Sequence, residues 1–129
     1  MDLGFVRRWF RRQEKIREEL RLTEDGFETI TTHPSHIRWS EIFRVTAFKR
    51  DEFTSDLLCL AFEAHSLPSG MHVEVNEEVP GFDAVVLSMM SHLPIDPRWR
   101  HSVLLPAFAR NLKVIYETPD APPANRVRA

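Results

Sequence analysis

Glu74, Glu77, Glu78 and Asp83 are the residues of this chain whose type and spacing come nearest to shared chemistry. They bracket the end of one strand pattern and the start of a helix pattern. Neighbouring carboxylates can divide the roles of general acid and general base. Acidic residues are also favoured at a helix N-terminus by the helix dipole alone. The reading they carry best is an acidic docking patch for basic groups on a partner, held by complementary charge. His33 and His36 flank Pro34, but no cysteine or carboxylate stands at a ligand spacing from them, so no zinc or other metal site is expected. Cys59, between Leu58 and Leu60 in an apolar strand pattern, reads as a structural thiol. The chain has four glycines and none forms a phosphate-binding loop. It also lacks a G-x-S-x-G elbow and an H-E-x-x-H pair. No catalytic residue is assigned and no cofactor is expected.

A second group has a different chemistry. Arg7, Arg8, Arg11 and Arg12, with Lys15 and Arg17, face only Asp2 and Glu14 in the first seventeen residues, a local charge of +4. Phe5, Trp9, Ile16 and Leu20 recur among them at helical spacing. This pattern predicts a basic amphipathic helix over Met1–Leu22. Its apolar stripe can dock on the chain's own domain. The arginines could instead meet an anionic membrane surface or an acidic partner.

The elements that position the carboxylates are legible from periodicity. Ile42–Lys49, Leu57–Ala64 and Met71–Asn76 read as strands joined by short connections, hence antiparallel neighbours. Pairing Phe62 with Val73, Leu60 with Val75, and Val45 with Leu60 puts Phe43, Val45, Leu58, Leu60, Phe62, Val73 and Val75 on one side of the sheet. Phe82, Val85, Val86, Met89, Met90 and Leu93 then fall on one helical face, ended by Pro94, and match that layer. In this arrangement Leu60→Ala is expected to destabilise the fold by ~2–5 kcal/mol, and Glu63→Ala to cost little. Gly26–Thr32 reads as a partly exposed strand, Ile37–Trp39 as a short one, Arg98–Leu105 as about two helical turns, and Leu112–Tyr116 as a last apolar strand.

At 129 residues, with 43% hydrophobic and 28% charged residues, the chain has the size and composition of one soluble domain. A net charge of −2 argues against nucleic acid as a partner. A single cysteine permits no internal disulfide, and no apolar run reaches spanning length, so a cytoplasmic protein is expected.

Ile37, Trp39 and Ile42, within ITTHPSHIRWSEIFRV, resemble a strand-entry step of bacterial pleckstrin-homology-like and GRAM-type domains. The run from Glu74 through Pro94, with Trp99 and the following PAFARN segment, is similar to small bacterial proteins, some of them akin to toxin-immunity proteins. The resemblance implies protein binding more than catalysis and assigns no site residue.

The expected fold is therefore α+β: one antiparallel sheet of about five strands packed by the Gly81–Leu93 helix, preceded by the basic helix. The expected division is 1–22 for that helix, 23–117 for the domain and 118–129 for a disordered Pro-rich tail. The expected function is a non-catalytic binding module for a protein, immunity- or adaptor-like. The alternatives are a small enzyme with an unrecognised pocket and a peripheral membrane module.

Overall fold

The computed structural model describes residues 18–51, 56–104 and 112–123. In chain order the elements are β1 (Glu19–Leu22), β2 (Gly26–Ile30), β3 (Ser35–Arg38), a 3-10 turn (Trp39–Glu41), β4 (Ile42–Asp51), β5 (Asp56–Ala64), β6 (Val73–Asn76), α1 (Phe82–His92), α2 (Trp99–Leu104) and β7 (Lys113–Glu117). They form two antiparallel sheets, one ordered β1-β2-β3 and the other β6-β5-β4-β7. This overturns the expectation of one sheet of about five strands. The N-terminal hairpin and β3 build a sheet of their own instead of extending the larger one.

The expected helix over Met1–Leu22 is corrected at its C-terminal end. Glu19–Leu22 is a strand paired with β2, Leu20 opposite Thr29. Arg7, Arg8, Arg11 and Arg12 lie outside the described residues. By spacing Leu20 fits a helical stripe, but as a strand residue it buries its side chain while its backbone N–H donates to Pro80 O at 2.8 Å. That bond leaves the helical ladder no use for the same donor. Two glycines enforce the arrangement. A Cβ on Gly26 would lie 1.8 Å from Ile37 O, and one on Gly81 (φ +94°) would lie 2.1 Å from Leu20 O. β1 thus crosses the entry to α1 at a distance only glycine permits.

The β5–β6 register is as the pattern requires, with Leu60 opposite Val75 and Phe62 opposite Val73. β4–β5 is shifted by two residues: Val45 faces Phe62 and Ala47 faces Leu60. A shift of two preserves the faces, since side chains alternate with period two. An irregularity between Ile42 and Arg44 changes the face locally. Ile42 enters the core and Phe43 leaves it, packing its ring 4.8 Å from His65.

The main core joins β4, β5 and β6 to α1 through Val45, Leu58, Leu60, Phe62, Val75, Phe82, Val85 and Met89. Phe27 connects this layer to the smaller sheet. It is wholly buried, with its ring 5.5 Å from Trp39 and 5.0 Å from Phe62. β2 is therefore deeper than a partly exposed strand. The opposite face of β4–β5 is buried too, at Phe48, Leu57, Cys59 and Ala61. Lys49, also buried, donates to Asp56 Oδ2 at 3.1 Å and to Leu104 O at 2.8 Å, so its ammonium ties the β4–β5 hairpin to the C-terminal end of α2. Among the described residues no helix is long and apolar enough to cross a membrane.

Candidate functional site

The four carboxylates singled out by spacing do not converge. Glu77 turns back on the sheet: its Oε1 accepts the Leu58 N–H at 3.0 Å while its own N–H donates to Leu58 O at 3.0 Å. It extends the β5–β6 ladder by one side chain. Glu74 is ion-paired with Arg50 and stands 3.8 Å from His72 Nε2. Glu78 is exposed, its backbone held by Asn76 Oδ1. Asp83, in the first turn of α1, is 90% exposed and 3.9 Å from Arg100. The four stand on different neighbours: Glu77 on Leu58, Glu74 on Arg50, Asp83 beside Arg100 at the surface, and Glu78 exposed.

A hydroxyl, an imidazole and a carboxylate do meet elsewhere, where the β1–β2 turn approaches β3. Thr23 Oγ1 donates to Asp25 Oδ1 at 3.0 Å, His36 Nε2 lies 3.2 Å from Thr23 Oγ1 and 3.1 Å from Asp25 Oδ1, and Arg38 Nε donates to Asp25 Oδ2 at 3.0 Å. A nucleophile relay needs the hydroxyl on one ring nitrogen and the orienting carboxylate on the other. Here both use Nε2. With the Thr23 hydrogen directed to Asp25, that nitrogen acts as a donor, which a general base cannot do. The cluster fastens a turn to a strand.

The same contacts hold the Asp25 carboxyl below the usual carboxylate range. The Thr23 hydroxyl is the largest cause, desolvation opposes it, and Arg38 and His36 add to it. A carboxyl depressed in the folded chain contributes stability above its unfolded pKa and loses it as pH falls through the folded one. Asp25→Asn is therefore expected to lower the melting temperature at neutral pH, and to match the unaltered protein once the pH is well below about 4. Melting curves across that range check the convergence.

A third polar group was missed from sequence. Arg44 and Glu63, on β4 and β5, are directly opposite and both buried, 3% of each side chain remaining exposed. Arg44 Nη1 donates to Glu63 Oε1 at 3.0 Å and Nε to Glu117 Oε2 at 2.6 Å, and Nη2 donates to Pro122 O. Burial disfavours the guanidinium charge, but the hydrogen bonds that Arg44 donates to Glu117 and Glu63 outweigh it and raise the Arg44 pKa. The expectation that Glu63 is dispensable is overturned, because the face it occupies is buried as well. The signal was available: opposite charges directly across two strands are a favourable pair, and the observed two-residue shift is the register that makes Arg44 face Glu63.

Two clefts border the larger sheet. One, of about 310 Å³, lies between the Phe43–His65 pair and the β5–β6 connection. The other, of about 190 Å³, lies between the sheets and is lined by Glu18, Glu19, Thr29, His33 and Ser35 on one side and Val73, Glu74 and Val75 on the other. Of the carboxylates chosen by spacing, Glu74 lines the second cleft; Glu77, Glu78 and Asp83 line neither. Comparison of the chain with protein-family models, with curated proteins and with solved structures finds no match in any of the three.

Proposed function

We propose that this chain is a protein-binding module, adaptor- or immunity-like, that takes an extended basic segment of a partner along the outer edge of β6. The observation that carries this reading is the position of β6, which ends its sheet among the described residues and lines the inter-sheet cleft. The Glu77–Leu58 bond fixes the phase of the ladder, so Val73 and Val75 direct their backbone groups to β5, and Glu74 directs its own outward. Adding a strand there supplies main-chain hydrogen bonds, and the cleft walls read alternate side chains.

Charge selects the partner. Glu18, Glu19 and Glu74 line the cleft against Arg21, which pairs with Glu19, and Arg50, which pairs with Glu74. The local balance is one net negative charge, with Glu18 exposed at the rim. A lysine–valine alternating hexapeptide is a suitable probe, with its glutamate–valine counterpart as control. The full chain is expected to bind the basic peptide, more weakly as salt shortens the screening length. Glu18→Lys/Glu19→Lys is expected to weaken it by about tenfold, close to 1.4 kcal/mol. Equal binding of both peptides, or an unchanged affinity in the double variant, would rule the reading out.

A further inference from the structure

We infer that the larger cleft is a binding site for an aliphatic ammonium group, with Glu63 Oε2 as its acceptor. This inference stands apart from the β6 edge and uses different residues. Glu63 lines the cleft, its side chain is 3% exposed, and its Oε2 is buried with no hydrogen-bond partner among the described residues. A buried carboxylate oxygen without a hydrogen bond is costly, and Arg44 donates to the other oxygen of Glu63. Nε, Nη1 and Nη2 of Arg44 are already directed to Glu117, Glu63 Oε1 and Pro122 O.

The chemistry that completes the site follows from charge and shape. Two carboxylates, Glu63 and Glu117, share the one Arg44 guanidinium, so the three groups together carry one net negative charge, and Glu63 is the member of the group that lines the cleft. A ligand must therefore bring a hydrogen-bond donor, and a positive one is favoured. Phe43, Leu67 and Met71 furnish apolar wall for an alkyl chain. That wall is preformed: Leu67 N–H bonds Ala64 O, Met71 N–H bonds Pro68 O, each at 3.0 Å, and Gly70 takes the positive φ the turn requires. An ammonium on a flexible chain fits both halves, either as a free alkylamine or as a lysine side chain of another protein.

The test is a titration of the isotope-labelled full chain, followed at the backbone amides of His65, Ser69 and Gly70. The probes are butylammonium, neutral butanol and a short peptide carrying one central lysine. Butylammonium is expected to give saturable shifts at these amides and butanol none; Glu63→Gln, which keeps the side-chain shape, is expected to weaken binding at least about tenfold. Ser69→Arg, an exposed change that leaves the Arg44–Glu63 pair intact, is expected to abolish saturable binding by placing a cation at the rim. A peptide that binds more tightly than butylammonium identifies a partner's lysine as the source; the reverse order identifies a free amine. Equal response to butylammonium and butanol, no response at these amides, or wild-type binding by Ser69→Arg would overturn the site and leave the cleft to water.

Discussion

Glu63→Ala is expected to cost about 3–5 kcal/mol, because it leaves the buried Arg44 guanidinium without its innermost counter-charge. Both side chains of the pair are 3% exposed, so the lost contact is a desolvated one. Glu117, 46% exposed, remains as a partner for Nε but cannot replace the bond at Nη1. Against a total stability of about 5–15 kcal/mol this is a large fraction. Replacing both members, Arg44→Met with Glu63→Leu, removes the uncompensated charge and is expected to recover most of the loss, since buried pairs give little net stability over apolar residues of similar volume. Denaturant melts of the single and double variants measure both effects. A Glu63→Ala protein melting with the unaltered chain would mean that this face of the sheet is open to water.

Phe27→Ala is expected to cost a further independent ~3–5 kcal/mol. Phe27, on β2 of the smaller sheet, has no exposed surface and contacts Phe62, on β5 of the larger one, and Trp39, in the 3-10 turn between the two sheets. Its removal opens a cavity at the joint between the two sheets, where neither can collapse without breaking its own pairing. A strand lying at the margin of one five-stranded sheet would lose far less. Denaturant unfolding of Phe27→Ala thus separates the two architectures, and a loss within about 0.5 kcal/mol, the usual range for surface positions, would contradict the two-sheet packing.

The helix α1 and the β5–β6 register were legible because each is fixed by local periodicity. Phe82, Val85, Val86 and Met89 form one stripe, and Phe62–Val73 and Leu60–Val75 follow from a short connection. Three features were not legible, each for a physical reason. Leu20 satisfies a helical spacing with Phe5, Trp9 and Ile16, yet its place is decided by Pro80 O and Gly81, sixty residues further on. The β4–β5 pairing has two registers with identical faces, and apolar matching cannot separate them; the Arg44–Glu63 pair can. Phe43 leaves the core through a local irregularity, a feature alternation alone does not encode. The carboxylates near the start of α1 were chosen by proximity in sequence, whereas Glu18, Glu19 and Glu74 meet at one cleft because two sheet edges are brought together in space.

The most direct test of the proposed role is amide hydrogen exchange in the full chain, with and without saturating lysine–valine hexapeptide. Glu74 is the informative position, since its backbone groups point away from β5, while those of Val73 and Val75 are already in the ladder. A strand added at this edge is expected to slow exchange at Glu74 by at least about tenfold, leaving Val73 and Val75 near their unbound rates. Peptide binding that leaves the Glu74 amide exchanging at its free rate would contradict the sheet-edge account.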